Sequence, residues 1–273
     1  MSSIDDIATK QNYVTPSRYI SGRIIEYDLK AANISILRSK GIISQERYEY
    51  LSNLPKIQRE VEVGLMERND YSIYQELQEG IKDAKKDLLA FNKINEDQVV
   101  RIANDAVYIN TDIDLKYTQF NEYIVFRNKS VSDVFCKLYD LNIFCKFLDS
   151  GNVNIDIKGL DATNTVLEIH KDYMVSVIIS TIALLERSGI QSAIDYLSEI
   201  CKKYVRRELP IEFYREFNKE CTYQLIKMNS FATFNIFQDL SSSDMQYIDI
   251  NYNYSLLREL WSILLEIYTI RKR

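Results

Sequence analysis

Histidine, proline and glycine are scarce in this chain, and each scarcity excludes something. His170 is the one histidine among 273 residues, and no two of the four cysteines (Cys136, Cys145, Cys201, Cys221) stand at C-x-x-C spacing. A structural zinc site needs closely spaced Cys or His ligands, so none is expected. Each cysteine sits in an apolar run, the setting of a buried free thiol in a reducing compartment. Three prolines and seven glycines are too few for the many turns of an all-β protein. They point instead to long helices with short connections. The longest apolar run, Tyr173–Leu185, falls short of a bilayer span. Met1–Pro16 lacks the basic start and apolar centre of a signal peptide. The expectation is a soluble cytoplasmic protein that makes no use of a membrane.

What is present supports a folded domain. The chain is 46% hydrophobic and 27% charged, enough to bury a core and unlike a disordered sequence. Tyrosine is frequent, with 20 copies, and Asn, Ile and Lys are abundant. That bias suits an AT-rich genome such as that of many phages; for a phage protein the compartment is the host cytoplasm. The net charge is −5, so the chain as a whole offers nucleic acid no electrostatic footprint. A nucleic-acid role would need local basic patches, with bound metal to offset the carboxylates.

Periodicity divides the chain into a polar arm at 1–22, an α+β domain at 23–160 with an antiparallel sheet and packed helices, and a helical domain at 161–273. Arg23–Leu29 reads as a strand, rich in β-branched and aromatic residues. After Asp28 the apolar spacing turns helical, through Ala32, Ile36 and Leu37, until Gly41. Ser44 starts a helix that ends near Leu54-Pro55, and Pro55 opens the next, running to about Arg68. Asn69-Asp70 caps a longer helix over 71–92. Two strands, Val99–Ile102 and Ala106–Ile109, flank an Asn104-Asp105 turn. Further strands are expected at 123–127, 131–138, 143–148 and 153–157, with Asn128-Lys129 as one of the turns between them. Helices are expected at 163–187, 190–207, 211–227 and 254–271.

Two isolated acids stand out: Asp28, between a strand and a helix, and Asp105, at a hairpin. Two-metal nucleotidyl transfer needs carboxylates from two strands, and nearby cations to hold the phosphates. Lys56 and Arg59 begin a helix between the two acids. The same residues have plain structural uses. Asp28 suits a helix N-cap, Asp105 a turn, and Lys56 and Arg59 a solvated helix face. Lys82, Lys85 and Lys86 read as a solvated face, Asp112 and Asp114 as loop residues, and His170 as a partly buried structural residue. Phe213, Tyr214, Phe217 and Tyr223 read as helical core, with base stacking as the other use.

Three runs carry a resemblance. Asp28-Leu29-Lys30-Ala31-Ala32-Asn33-Ile34-Ser35-Ile36 resembles motif A of family-B DNA polymerases, D-x-x-S-L-Y-P-S-I, with Asp28, Ser35 and Ile36 matching. Lys56–Gly64 resembles motif B, K-x-x-x-N-S-x-Y-G, with Lys56 and Gly64 in place. Asn104–Ile109 resembles motif C, a hairpin presenting D-T-D-S, with Asp105 on the second acid. The first motif C acid is Ala103 here, the sugar-selecting Tyr of motif A is Asn33, and the Asn-Ser-x-Tyr of motif B is replaced by Glu60, Val61 and Val63. The resemblance spans Asp28 to Ile109.

It implies a palm-like sheet and a metal-dependent nucleotidyltransferase of the template-directed polymerase type. Mg²⁺ or Mn²⁺ would sit on Asp28 and Asp105, which are both the catalytic and the metal residues. Lys56, Arg59 and Asn33 would bind substrate. The partners would be DNA or RNA and a nucleoside triphosphate, with other phage proteins as further candidates. The missing motif residues keep a second expectation open: a catalytically inactive, polymerase-like subunit with a structural or protein-interaction role in phage replication, transcription or virion assembly.

Overall fold

The computed structural model describes residues 4–138, 141–158, 165–206, 208–209 and 250–271. The helix expected at 211–227, with Phe213, Tyr214, Phe217, Tyr223 and Cys221, lies outside the described residues, and so does the side chain of His170. The architecture is α+β: an antiparallel sheet with packed helices, then helices toward the C-terminus. The elements are α1 (Ile4–Ala8), β1 (Asn12–Val14), β2 (Tyr19–Leu29), α2 (Ala32–Ser39), α3 (Gln45–Asn53), α4 (Lys56–Asn69), α5 (Tyr71–Phe91), β3 (Val99–Ala103), β4 (Ala106–Asn110), β5 (Phe126–Leu138), β6 (Leu141–Phe147), β7 (Val153–Lys158), α6 (Thr165–Arg187), α7 (Ile190–Arg206) and α8 (Ile250–Arg271). The seven strands are ordered β1-β3-β4-β2-β5-β6-β7.

The chain forms two compact units: Met1–Ser17 with Ser21–Val134, and Arg18–Ile20 with Phe135–Arg273. The sequence reading instead divided it near 160. In the first unit β2 pairs antiparallel with β4, Asp28 opposite Ala106 and Glu26 opposite Tyr108. Strand alternation sends Ile25, Tyr27 and Leu29 to one face and Glu26 and Asp28 to the other. The apolar face packs on α2 and α5 through Ile34, Ile36, Leu37, Leu77, Ala84, Leu88 and Leu89. The segment read as a polar arm contributes Ile7 and Ala8 to this core.

Local chemistry explains the helix starts. The Ser44 hydroxyl accepts the Arg47 N–H and caps α3, and the Asp70 carboxylate accepts the Ser72 N–H and caps α5. Pro55 precedes α4, where its missing N–H costs nothing. Asp28, by contrast, does not cap α2. Ala31 holds that position in the left-handed region, at φ 47° and ψ 47°, without a side-chain cap. On α5, Gly80 lies against α2 so closely that an added Cβ would run into the Ile36 Cγ2 methyl.

Asn128-Lys129 is not a turn. Both residues lie inside one strand, β5, and Phe126 points into the core. In the second unit, α6, α7 and α8 pack through Val177, Ile178, Ile182, Leu197, Leu257, Leu260 and Leu264. Arg18 pairs with Glu259 and donates to Ser262 Oγ at 2.9 Å. Cys136 and Cys145 are buried free thiols and Cys201 a partly buried one. Among the described residues, no helix is long and apolar enough to cross a membrane.

Candidate functional site

The β3–β4 hairpin sets the site. Ala103 pairs with Ala106, leaving Asn104 and Asp105 as the turn, with Asn104 at φ 46°. Asn tolerates the left-handed region better than most residues. The Leu29 N–H donates to the Asp105 carbonyl at 3.0 Å, which ties the hairpin tip to the end of β2 one residue past Asp28. The two acids, 77 positions apart in sequence, therefore face one cleft.

That cleft has a volume of about 290 Å³. Asp28, Asn33, Lys56, Arg59 and Asp105 all line it, so the five residues singled out from sequence come together. Burial pushes the Asp105 carboxyl above its ordinary pKa; a hydrogen bond to its own backbone opposes this, and the charge of Asp28 adds to it. Four cations line the cleft (Lys56, Arg59, Arg127, Lys129) against three acids (Asp28, Glu60, Asp105), in a chain whose net charge is −5. Three of these cations are paired within the site: Arg127 and Lys129 with Asp28, and Lys56 with Glu60 at 3.7 Å.

Sequence reasoning missed the cations nearest Asp28. Arg127 donates to Asp28 Oδ2 at 3.1 Å, and Lys129 donates to Asp28 Oδ1 at 3.3 Å and to Glu26 Oε1 at 2.9 Å. Ser130 Oγ donates to Glu26 Oε2 at 2.8 Å. Glu26 is 3% exposed and Asp28 9%. Burial raises the pKa of Glu26, but the bonds from Lys129 and Ser130, the Lys129 charge and a bond from Tyr108 outweigh it and hold the carboxyl below its ordinary value. For Lys129 burial lowers the pKa, and Glu26 and Asp28 raise it further than burial lowers it. The available signal was alternation: Arg127 and Lys129, two apart, follow an apolar Phe126, as on a strand with one charged face.

A second pocket of about 440 Å³ adjoins the cleft and shares Asn33, Lys56, Glu60 and Asp105 with it. Lys82 and Lys85 of α5 line this pocket. Lys85 was read as part of a solvated face; it is 1% exposed. Asp114, read as a loop residue, pairs with Arg23 at 2.7 Å.

The family profile of the bacteriophage PBS1 gene 130 protein matches residues 3–266. The chain belongs to that family. It is thus one of a group of phage proteins, in keeping with the AT-rich composition. No curated protein matches the chain.

Proposed function

We propose that the cleft of the first unit is a palm-type nucleotidyltransferase site, which binds a nucleoside triphosphate and a nucleic-acid end with one divalent cation. The observation that carries this reading is the convergence of Asp28 and Asp105 with Lys56, Arg59 and Asn33 on one cleft. The donor set suits Mg²⁺ or Mn²⁺, which take hard carboxylate oxygens. Among the described residues no cluster of three or more metal-ligating side chains occurs. Mg²⁺ commonly needs only one or two carboxylates, the substrate phosphates and water completing its shell. Bound there, the ion would supply charge neutralisation at the transferring phosphoryl group and lower the pKa of the attacking hydroxyl.

The chain's own residues do the rest. Asp28 and Asp105 would hold the ion, and their mutual repulsion favours the binding of a cation. Lys56 and Arg59, on the first turn of α4, neutralise the triphosphate. Asn33, where the resembled family carries a tyrosine, borders the sugar. Lys129 and Arg127 must yield part of their hold on Asp28. Their side chains are 45% and 61% exposed, so releasing them costs about 1 kcal/mol or less each.

Primer extension with Mg²⁺ or Mn²⁺ is the test. Asp28→Asn and Asp105→Asn should each abolish incorporation; activity retained in both variants overturns the assignment.

A second reading has its own support. Asp28 is already matched by two cations, and α4 presents Ile57, Val61 and Leu65 to solvent at i, i+4, i+8, an apolar stripe suited to a protein partner. On this reading the protein is an inactive, polymerase-like subunit. Wild-type protein that binds nucleic acid without incorporating nucleotide under either metal would favour it.

A further inference from the structure

The second pocket holds a buried cation that the fold matches only in part. Lys85 Nζ donates one hydrogen bond, to the Lys10 carbonyl at 3.1 Å. An ammonium has three N–H donors, so two lack a protein acceptor among the described residues. One turn away on the same face of α5 stands Lys82, which has no ion pair among the described residues. Like charges three residues apart on a helix destabilise it. Other cations of this unit do find acids: Lys40 bonds Glu76 and Glu79, and Arg47 bonds Glu62. The acids lining the pocket are Glu60, Glu67 and Asp105. Of these, Glu60 is 3.7 Å from Lys56, and the Asp105 charge favours the charged form of Lys85 without a hydrogen bond to it.

We propose that this pocket binds a phosphate group, with Lys85 as its buried anchor and Lys82 and Lys56 as its other cations. A phosphate offers several strong acceptor oxygens and suits point-charge ammonium donors. The side-chain amides of Asn33 and Asn104, which also line the pocket, add neutral donors. The volume of about 440 Å³ leaves room for a group attached to the phosphate. Two sources share this chemistry: the terminal phosphates of a nucleotide, and the phosphodiester backbone of a strand. The site needs no metal and no transfer reaction, but it shares Asn33, Lys56 and Asp105 with the cleft and so deepens the nucleotidyltransferase reading.

The test is isothermal titration of the full chain in EDTA, with inorganic pyrophosphate in one arm and a short single-stranded oligothymidylate in the other. Wild-type protein should bind at least one of them. Lys82→Gln and Lys85→Gln should each weaken that binding tenfold or more. Lys86→Gln, which removes an exposed charge next to the pocket residue, should stay within twofold. Pyrophosphate binding assigns the site to nucleotide phosphates; oligonucleotide binding alone assigns it to a strand. Lys82 is only half-buried, so its variant remains informative if Lys85→Gln fails to fold. The proposal is overturned if wild-type protein binds neither ligand at millimolar concentration, if the Lys82 variant binds as tightly as wild type, or if Lys86→Gln loses as much as Lys82→Gln. EDTA removes the divalent ion, so failure here and failure of primer extension are separate results.

Discussion

The two flanks of Asp105 treat buried charge in opposite ways. On the β2 side, buried Glu26 and Asp28 are matched by Lys129, Arg127 and Ser130, and the cations keep one end in water. On the α5 side, buried Lys85 bonds one carbonyl, and the charge of Asp105 favours it while that of Lys82 opposes it. A matched buried charge becomes costly only when its partner is removed, whereas an unmatched one is a standing cost that a ligand can remove. The contrast marks the β2 flank as balanced by the protein's own cations, which a bound metal ion would displace in part, and the α5 flank as one that a ligand would complete.

Lys129→Met breaks the matched side most severely. It strands Glu26 and half-strands Asp28, and should lower stability by about 2 kcal/mol in urea unfolding. That is less than the roughly 3–5 kcal/mol of a fully buried pair, because Lys129 is partly solvated. A loss near zero would erase the distinction between the flanks.

Lys85→Met should do the reverse and raise stability at pH 7 by about 1 kcal/mol, since it removes a buried and unmatched cation. A loss of similar size would show that Lys85 is already satisfied. The gain should fade as pH rises. Burial lowers the Lys85 pKa from 10.5 to about 8, Asp105 pulls it back up and Lys82 lowers it again. Between about 8 and 10.5 the unfolded chain holds a proton that the folded chain has released, so wild-type stability climbs with pH across that window and approaches the variant's.

Glu26 gives a change at the acid end. Its folded pKa lies below the ordinary 4.5, so its contribution is full above that value and is lost as pH falls through the folded pKa. Glu26→Gln should flatten the acid limb of the stability curve by about 1 kcal/mol or less. The smallest effect belongs to Lys40→Met. The acids facing Lys40 are well exposed, so the loss should stay under about 1 kcal/mol. A larger loss would mean that surface pairs here carry weight the comparison gives to buried ones.

Sequence patterns reveal much of this arrangement. Helices α3, α4 and α5 follow from the cap signals at Ser44, Pro55 and Asp70, and the hairpin from β-branched runs around Asn104-Asp105. Of the cleft residues, Asp28, Lys56 and Asp105 follow from motif spacing. Arg127 and Lys129 do not, because Asn-Lys between two apolar runs has the composition of a turn, and the pairing of β5 in the sheet overrides it. Lys85 does not either, since a Lys-rich helix segment reads as solvated until the segment before β1 covers it with the Lys10 carbonyl. Local propensity is visible in the chain; which faces become covered depends on partners distant in sequence.

Gly80 acts as a gauge. Having no side chain, it lets α5 lie as close to α2 as the two helices reach, and the second pocket opens between residues of those same helices, Asn33 on one side and Gln78, Lys82 and Lys85 on the other. A methyl group there would push the helices apart and widen the mouth for whatever enters. The spacing of the two helices that line this pocket thus rests on Gly80, and Gly80→Ala should change what the pocket admits.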